Sequence, residues 1–165
     1  MQWAYEKERN EKTLKDLTRD ELTWQPAPNG QSIGMIYFSQ ARWMDQYMHS
    51  AMHHTPNLWE TQGWHKKFNM PESGPPSLRT AQDMAAFRLP PIKDVEAYWN
   101  AAYSEIVKSI EGLNAEELDK VVEYRIIATP MRRSFLMLFS TGQLHMAHLG
   151  GEMSYLRDLQ RGGLS

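Results

Sequence analysis

The side chains able to do chemistry in this 165-residue sequence are mainly histidines, and they gather in two places. His145, His148 and Glu152 stand at i, i+3 and i+7, which sets all three along one side of a helix. Three nitrogen and oxygen donors so spaced are a candidate set for a divalent metal. Without a metal, His145 is a candidate acid–base near neutral pH, and His148 with Glu152 is an ordinary i, i+4 pair. His49 and His53 form a second i, i+4 pair, with His54 and His65 nearby in sequence; here surface or packing roles are the plainer expectation. With no cysteine, the sequence has no thiolate nucleophile, thiolate metal ligand or disulfide. A Gly-rich phosphate loop, a Gly-x-Ser-x-Gly elbow and a His-Glu-x-x-His motif are all missing. Arg132 and Arg133 are an isolated basic pair, too short for a nucleic-acid patch.

The element that must carry His145 is the stretch from Ser134 to Gln160, closed by Arg161, Gly162 and Gly163. Phe135, Leu138, Phe139, Gly142, His145, Met146, Leu149, Met153 and Leu156 recur at three- and four-residue steps, one buried face of a single helix. At 1.5 Å per residue it would run about 40 Å. A second helix starts at Ser32, a suitable N-cap, and carries Ile33, Ile36, Tyr37, Trp43, Met44, Tyr47 and Met48; Ser39 and Gln40 interrupt its apolar stripe from within. A polar group on a face meant for packing needs a partner, so these positions are where a site would be built. The charged first 17 residues read as another helix, and Ile92 to Glu111 as a fourth, with Gly112 just past its end. Thr18-Arg19-Asp20-Glu21, Thr80-Ala81-Gln82-Asp83 and Asn114-Ala115-Glu116-Glu117 are caps of short helices.

Two stretches are less regular. From His53 to about Thr80 the pattern is broken by Pro56, Gly63, Pro71 and Gly74, yet Trp59, Trp64, Phe68 and Met70 predict a structured cover held by its aromatics, not a tether. Val121 to Pro130 is rich in β-branched residues (Val121, Val122, Ile126, Ile127, Thr129) and reads as extended, with no evident strand to pair with.

Bulk properties set the class. A chain of this length fits one domain, 1–165, and buries a real core. A formal charge of -2 gives no reason to expect nucleic acid or an anionic membrane surface as partner, and no run approaches a membrane span. No apolar signal core opens the sequence, so a soluble, cytoplasmic protein is the expectation. Eleven Met and six Trp supply large adaptable apolar side chains, which either fill a core or line a pocket for an apolar ligand.

Ser32-Ile33-Gly34 with Ala41-Arg42 and Asp45, then Leu58-Trp59-Glu60 with Gly63-Trp64, Phe68, Met70 and Pro71, and last Gly151-Glu152-Met153-Ser154-Tyr155-Leu156-Arg157 occur in a meaningful order. Together they resemble the DinB-like (DinB/YfiT) family: the start of its second helix, the connection of one of its branches, and its C-terminal helix signature. The resemblance implies an all-α fold, a four-helix bundle with long, partly helical connections. It also implies what the family commonly carries: a divalent metal such as zinc or nickel on three histidines, transfer of thiols such as bacillithiol or mycothiol, and a homodimer.

Against that pattern, Ser39 stands where the first histidine would be, His145 matches the second, and Leu149 replaces the third. The expectation is therefore a central cleft that binds a small, largely apolar molecule without a metal cofactor. In it His145 serves as acid–base, Ser39 or Tyr37 orients a substrate oxygen, and Gln40, Trp43, Leu149, Trp64 and Phe68 frame the ligand. The alternatives are a metal-dependent thiol S-transferase with zinc or nickel on His145, His148 and Glu152, and a non-catalytic homodimeric interaction protein with a filled core.

Overall fold

The computed structural model describes residues 2–75, 78–125 and 130–163. In chain order the helices are α1 (Gln2–Leu14), α2 (Arg19–Thr23), α3 (Ile33–Gln46), which runs on as a π-helical stretch (Tyr47–His53), α4 (Leu58–Thr61), α5 (Trp64–Lys67), α6 (Ala81–Ala86), α7 (Ile92–Glu111) and α8 (Ala115–Asp119). A hairpin of β1 (Val121–Arg125) and β2 (Pro130–Ser134) precedes the last helix, α9 (Phe135–Arg161). Among the described residues four helices are long, the fold is all-α, and the connections are partly helical. Among the described residues no helix is long and apolar enough to cross a membrane.

The short helices start where their caps dictate. Thr18, Thr80 and Asn114 each accept a hydrogen bond from the backbone N–H three residues on, and the acid at that position (Glu21, Asp83, Glu117) accepts one from the cap's own N–H. Each such box is worth about 1 kcal/mol. Ser32 Oγ takes the N–H of Met35 at 3.3 Å, and Ser134 Oγ that of Met137 at 3.3 Å, opening α3 and α9.

The extended segment after α8 does have a partner, contrary to the sequence expectation: β1 pairs antiparallel with β2, with Val121 opposite Ser134 and Glu123 opposite Arg132. Pro130-Met131-Arg132-Arg133-Ser134 lacks the alternation of apolar and polar residues that announces a strand, so its pairing is not visible in the pattern. Ile126, Ile127 and Thr129 lie outside the described residues.

The chain gathers into two compact units. Unit 1 comprises Met1–Gln40, Pro76–Ile92 and Gln143–Ser165. Its apolar interior includes Ile33, Ile36, Phe38, Met146 and Met153, each no more than 2% exposed. Close packing shows at Gly34, where a Cβ would lie 2.9 Å from the Leu22 carbonyl oxygen and would also strike Leu89. Arg157 on α9 reaches the C-terminal end of α1, donating to the carbonyls of Lys12 at 3.1 Å, Thr13 at 2.5 Å and Lys15 at 2.8 Å.

Unit 2 comprises Ala41–Pro75 and Lys93–Gly142. Met44, Trp59, Val95, Tyr98, Ala102 and Leu138 are fully buried in it. The connection after the π-helical stretch is a structured cover, as its aromatics predict. Trp59, Trp64 and Phe68 pack on the Tyr98 ring with centroids 6.0, 5.1 and 5.8 Å away, and Trp59 Nε1 donates to the Pro71 carbonyl at 3.1 Å. Between α4 and α5 the chain turns at Gly63 with φ +70°, a left-handed backbone that glycine takes without a Cβ penalty.

Candidate functional site

Unit 1 holds five of the residues singled out in the sequence: Tyr37, Ser39 and Gln40 on α3, and His145 and Leu149 on α9. Gln40 and Tyr37 are buried, whereas Ser39, His145 and Leu149 are half-buried. Burial, with the His148 imidazole adding to it and Glu152 opposing, holds the His145 ring below the usual histidine range. It is therefore neutral at neutral pH and has a lone pair to offer as a base.

Around Gln40 the interior of unit 1 is polar. Asn10 donates from Nδ2 to Gln40 Oε1 at 2.8 Å, and its own Oδ1 is buried with no hydrogen-bond partner among the described residues. Glu6, Asn10 and Thr13 fall on one face of α1 and are all buried. Thr13 Oγ1 lies 3.1 Å from Ser154 Oγ. Glu6 pairs with Arg9, whose Nη2 donates to the Ala147 carbonyl at 2.7 Å. Burial pushes the Glu6 carboxyl up, against the pull of Arg9. Gly150 makes room for that guanidinium, since a Cβ there would collide with it.

The residues present do not fit a metal. His148 Nε2 and Glu152 Oε1 are bound to each other at 3.0 Å with side chains 68% and 46% exposed, so they form a solvated i, i+4 pair. Among the described residues no three His, Asp or Glu groups gather so as to hold an ion. At the positions where the family resemblance puts two further histidines stand a hydroxyl, Ser39, and an aliphatic group, Leu149, and an aliphatic group has no lone pair to coordinate with.

Trp43, Trp64 and Phe68 belong to unit 2. Trp43 stacks on Tyr47 with centroids 4.3 Å apart; Trp64 and Phe68 pack on each other at 5.6 Å as well as on Tyr98.

Unit 2 also contains a polar centre, not among the candidate sites the sequence suggests. Asp45 is fully buried. Its Oδ1 accepts the Leu58 N–H at 2.7 Å, and its Oδ2 accepts the Trp59 N–H at 2.9 Å and the Tyr98 hydroxyl at 2.6 Å. Arg42 donates from Nη1 to the Tyr98 oxygen at 3.0 Å and lies over the Trp59 ring, its Cζ 4.3 Å from the centroid. His49 completes the set, with Nδ1 3.0 Å from Asp45 Oδ1. Burial works to raise the Asp45 carboxyl, but the donors from His49, Tyr98, Leu58 and Trp59 outweigh it and hold the group below the usual carboxylate range. The bond to Asp45 raises His49, burial notwithstanding. His65 is likewise buried and structural, its Nδ1 2.7 Å from the Trp59 carbonyl. The i, i+4 spacing of Asp45 and His49 is the sequence signal for this centre.

A set of long helices with a polar interior, partly helical connections and one small hairpin defines an all-α helical-bundle protein. The model of the DinB superfamily matches residues 2–149, and the chain belongs to that superfamily. A solved structure, the crystal structure of a conserved protein from Enterococcus faecalis, is similar with a TM-score of 0.81 at 22% identity, covering 98% of this chain and 94% of that one. At that identity the likeness shows the four-helix-bundle fold and nothing of activity. No functionally curated protein matches the chain.

Proposed function

We propose that the chain acts as a single cytoplasmic domain, 1–165, whose helical interior in unit 1 binds a small, largely apolar molecule, and that it transforms this molecule without a metal. His145 is the acid–base, Ser39 or Tyr37 orients a substrate oxygen, and Gln40 and Leu149 line the ligand. The observation that carries this reading is the buried amide pair of Asn10 and Gln40, with Asn10 Oδ1 lacking a partner among the described residues. A buried oxygen in that condition costs about 1–3 kcal/mol unless water or a ligand hydrogen-bonds to it. The half-buried, neutral His145 supports it further. In this reading the metal site of the family is degenerate.

The test is native mass spectrometry of protein purified without chelator, alongside elemental analysis. The expected result is a small molecule that co-purifies, is released on denaturation and is retained poorly by His145→Ala and Gln40→Leu. One tightly bound zinc or nickel per chain, lost in His145→Ala together with thiol transfer, overturns it in favour of a metal-dependent thiol transferase. A wild-type mass free of any adduct, with no metal, overturns it in favour of a non-catalytic homodimer. Tyr5, Leu144, Tyr155 and Leu159, all at least 50% exposed, give such a dimer apolar surface to bury.

A further inference from the structure

A second candidate site lies in unit 2, and it shares no residue with the one around His145. His49, His53, Glu105, Lys108 and Ser109 line a groove of about 350 Å³, with Met48 and Leu113 as its apolar wall. That volume suits a small ligand. The orientation of His49 is fixed from behind: Nδ1 lies 3.0 Å from the Asp45 backbone carbonyl oxygen and 3.0 Å from its carboxylate Oδ1. Both neighbours are acceptors, so Nδ1 carries a hydrogen and Nε2, on the far side of the ring, is left to the groove. The Arg42 guanidinium donates to the opposite carboxylate oxygen, Oδ2, at 3.4 Å and does not compete with His49 Nδ1–H for Oδ1.

Charge bookkeeping then defines the ligand. Asp45, and Glu105 at longer range, favour the charged imidazole of His49, whose Nε2 is then a cationic N–H donor. Lys108 is bound to Glu105 at 2.8 Å, and the two cancel. Partial desolvation and the neighbouring His49 and His54 disfavour the charged form of His53, whose Nε2 lies 2.9 Å from Ser109 Oγ. That leaves His49, backed by the buried Asp45 carboxylate, as a single fixed donor beside an apolar wall. The carbonyl end of α7 is also near, at Gly112, and it penalises a second negative charge on any ligand.

We propose that this groove binds a small monocarboxylate, whose carboxylate accepts from His49 Nε2–H and whose apolar end lies toward Met48 and Leu113. Nothing in this depends on the His145 reading.

The probe is sodium acetate, a monoanion from about pH 6 to 9, titrated into the whole protein at constant ionic strength. The imidazole proton resonances of the six histidines are followed by NMR. The expected result is a saturable shift of His49 at pH 6 that weakens at least tenfold by pH 9, and sulfate at least tenfold weaker than acetate. Saturating acetate raises the apparent pKa of His49 and leaves exposed His148 unmoved, a readout that needs no variant. His49→Gln abolishes saturable acetate binding. Equal movement of His49 and His148, acetate binding indifferent to pH, or sulfate binding as tight as acetate overturns the proposal. So does zinc broadening His49 and His53 while acetate moves neither, which would make the groove a cation site.

Discussion

Asp45 Oδ1 and His49 Nδ1 meet at 3.0 Å across one turn, at the point where α3 changes from α to π winding. The same carboxylate takes the N–H groups of Leu58 and Trp59, so one buried charge both aims an imidazole and ties down the start of the connection that follows. A buried charge with this many donors is costly to disturb, because removing it strands all of them at once.

Asp45→Ala is therefore expected to destabilise the fold by about 3–5 kcal/mol, the range for breaking a buried charge cluster from one side. Asp45→Asn keeps acceptor capacity on one oxygen and should cost less. Urea unfolding at neutral pH measures both; a loss below about 1 kcal/mol for the alanine variant would mean that the donors find water in the folded state.

Histidine titration gives stability two opposed slopes. His49 has a raised folded pKa, so its contribution is complete below the unfolded value of about 6.5 and is lost as pH climbs through the folded one. His53 and His145 have lowered folded values, so protonating them favours the unfolded chain, and stability rises with pH up to about 6.5. Urea midpoints against pH should thus peak near that value. In His49→Gln the decline on the alkaline side should shrink most, while the acid side keeps the part of its slope that burial of His53 and His145 supplies. An unchanged alkaline decline would assign it to another group.

The helices were legible because their signals are local. Ile92–Glu111 has a period-3.6 apolar face and a glycine just past its end, and the three capping boxes announce α2, α6 and α8 within four residues each. The hairpin was half legible: β1 has β-branched residues, but β2 is Pro-Met-Arg-Arg-Ser, and Val121 is 52% exposed, so no buried face imposes alternation. Of the centre at Asp45 only the i, i+4 spacing to His49 is legible, since Tyr98 lies 53 residues away and Leu58 and Trp59 contribute backbone N–H groups, which residue type does not report. The Asn10–Gln40 pair, 30 residues apart, escaped for the same reason, although Gln40 itself stood out as a polar residue on an apolar stripe.

Arg157 caps α1 from α9 with three carbonyl contacts between 2.5 and 3.1 Å. The charged donor cannot be replaced by a neutral one of equal reach, so Arg157→Gln should lose about 1–2 kcal/mol. All three bonds leave Nη1, so Arg157→Lys recovers only the part that its shorter side chain can reach. Hydrogen exchange of the α1 amides is the matching local probe, with protection falling in both variants. Loss of global stability without faster exchange in α1 would detach the effect from the cap.

Gly150→Ala tests the polar interior of unit 1 through charge. On an ordinary helix the change favours folding by about 0.5–1 kcal/mol, because alanine loses less backbone entropy than glycine. Here the new Cβ collides with the Arg9 guanidinium, which must leave its place against the Ala147 carbonyl and beside Glu6. Burial already raises the Glu6 carboxyl and Arg9 holds it back, so displacing Arg9 raises it further. A carboxyl whose folded pKa exceeds its unfolded value lowers stability as pH rises from about 4.3 through the folded pKa. The variant should consequently be destabilised more at pH 7 than at pH 4, relative to wild type, with a difference of about 1 kcal/mol. Urea unfolding at the two pH values measures it. A pH-independent change, or a net gain from the helix preference, would show that Arg9 swings clear without loss and that Glu6 does not depend on it.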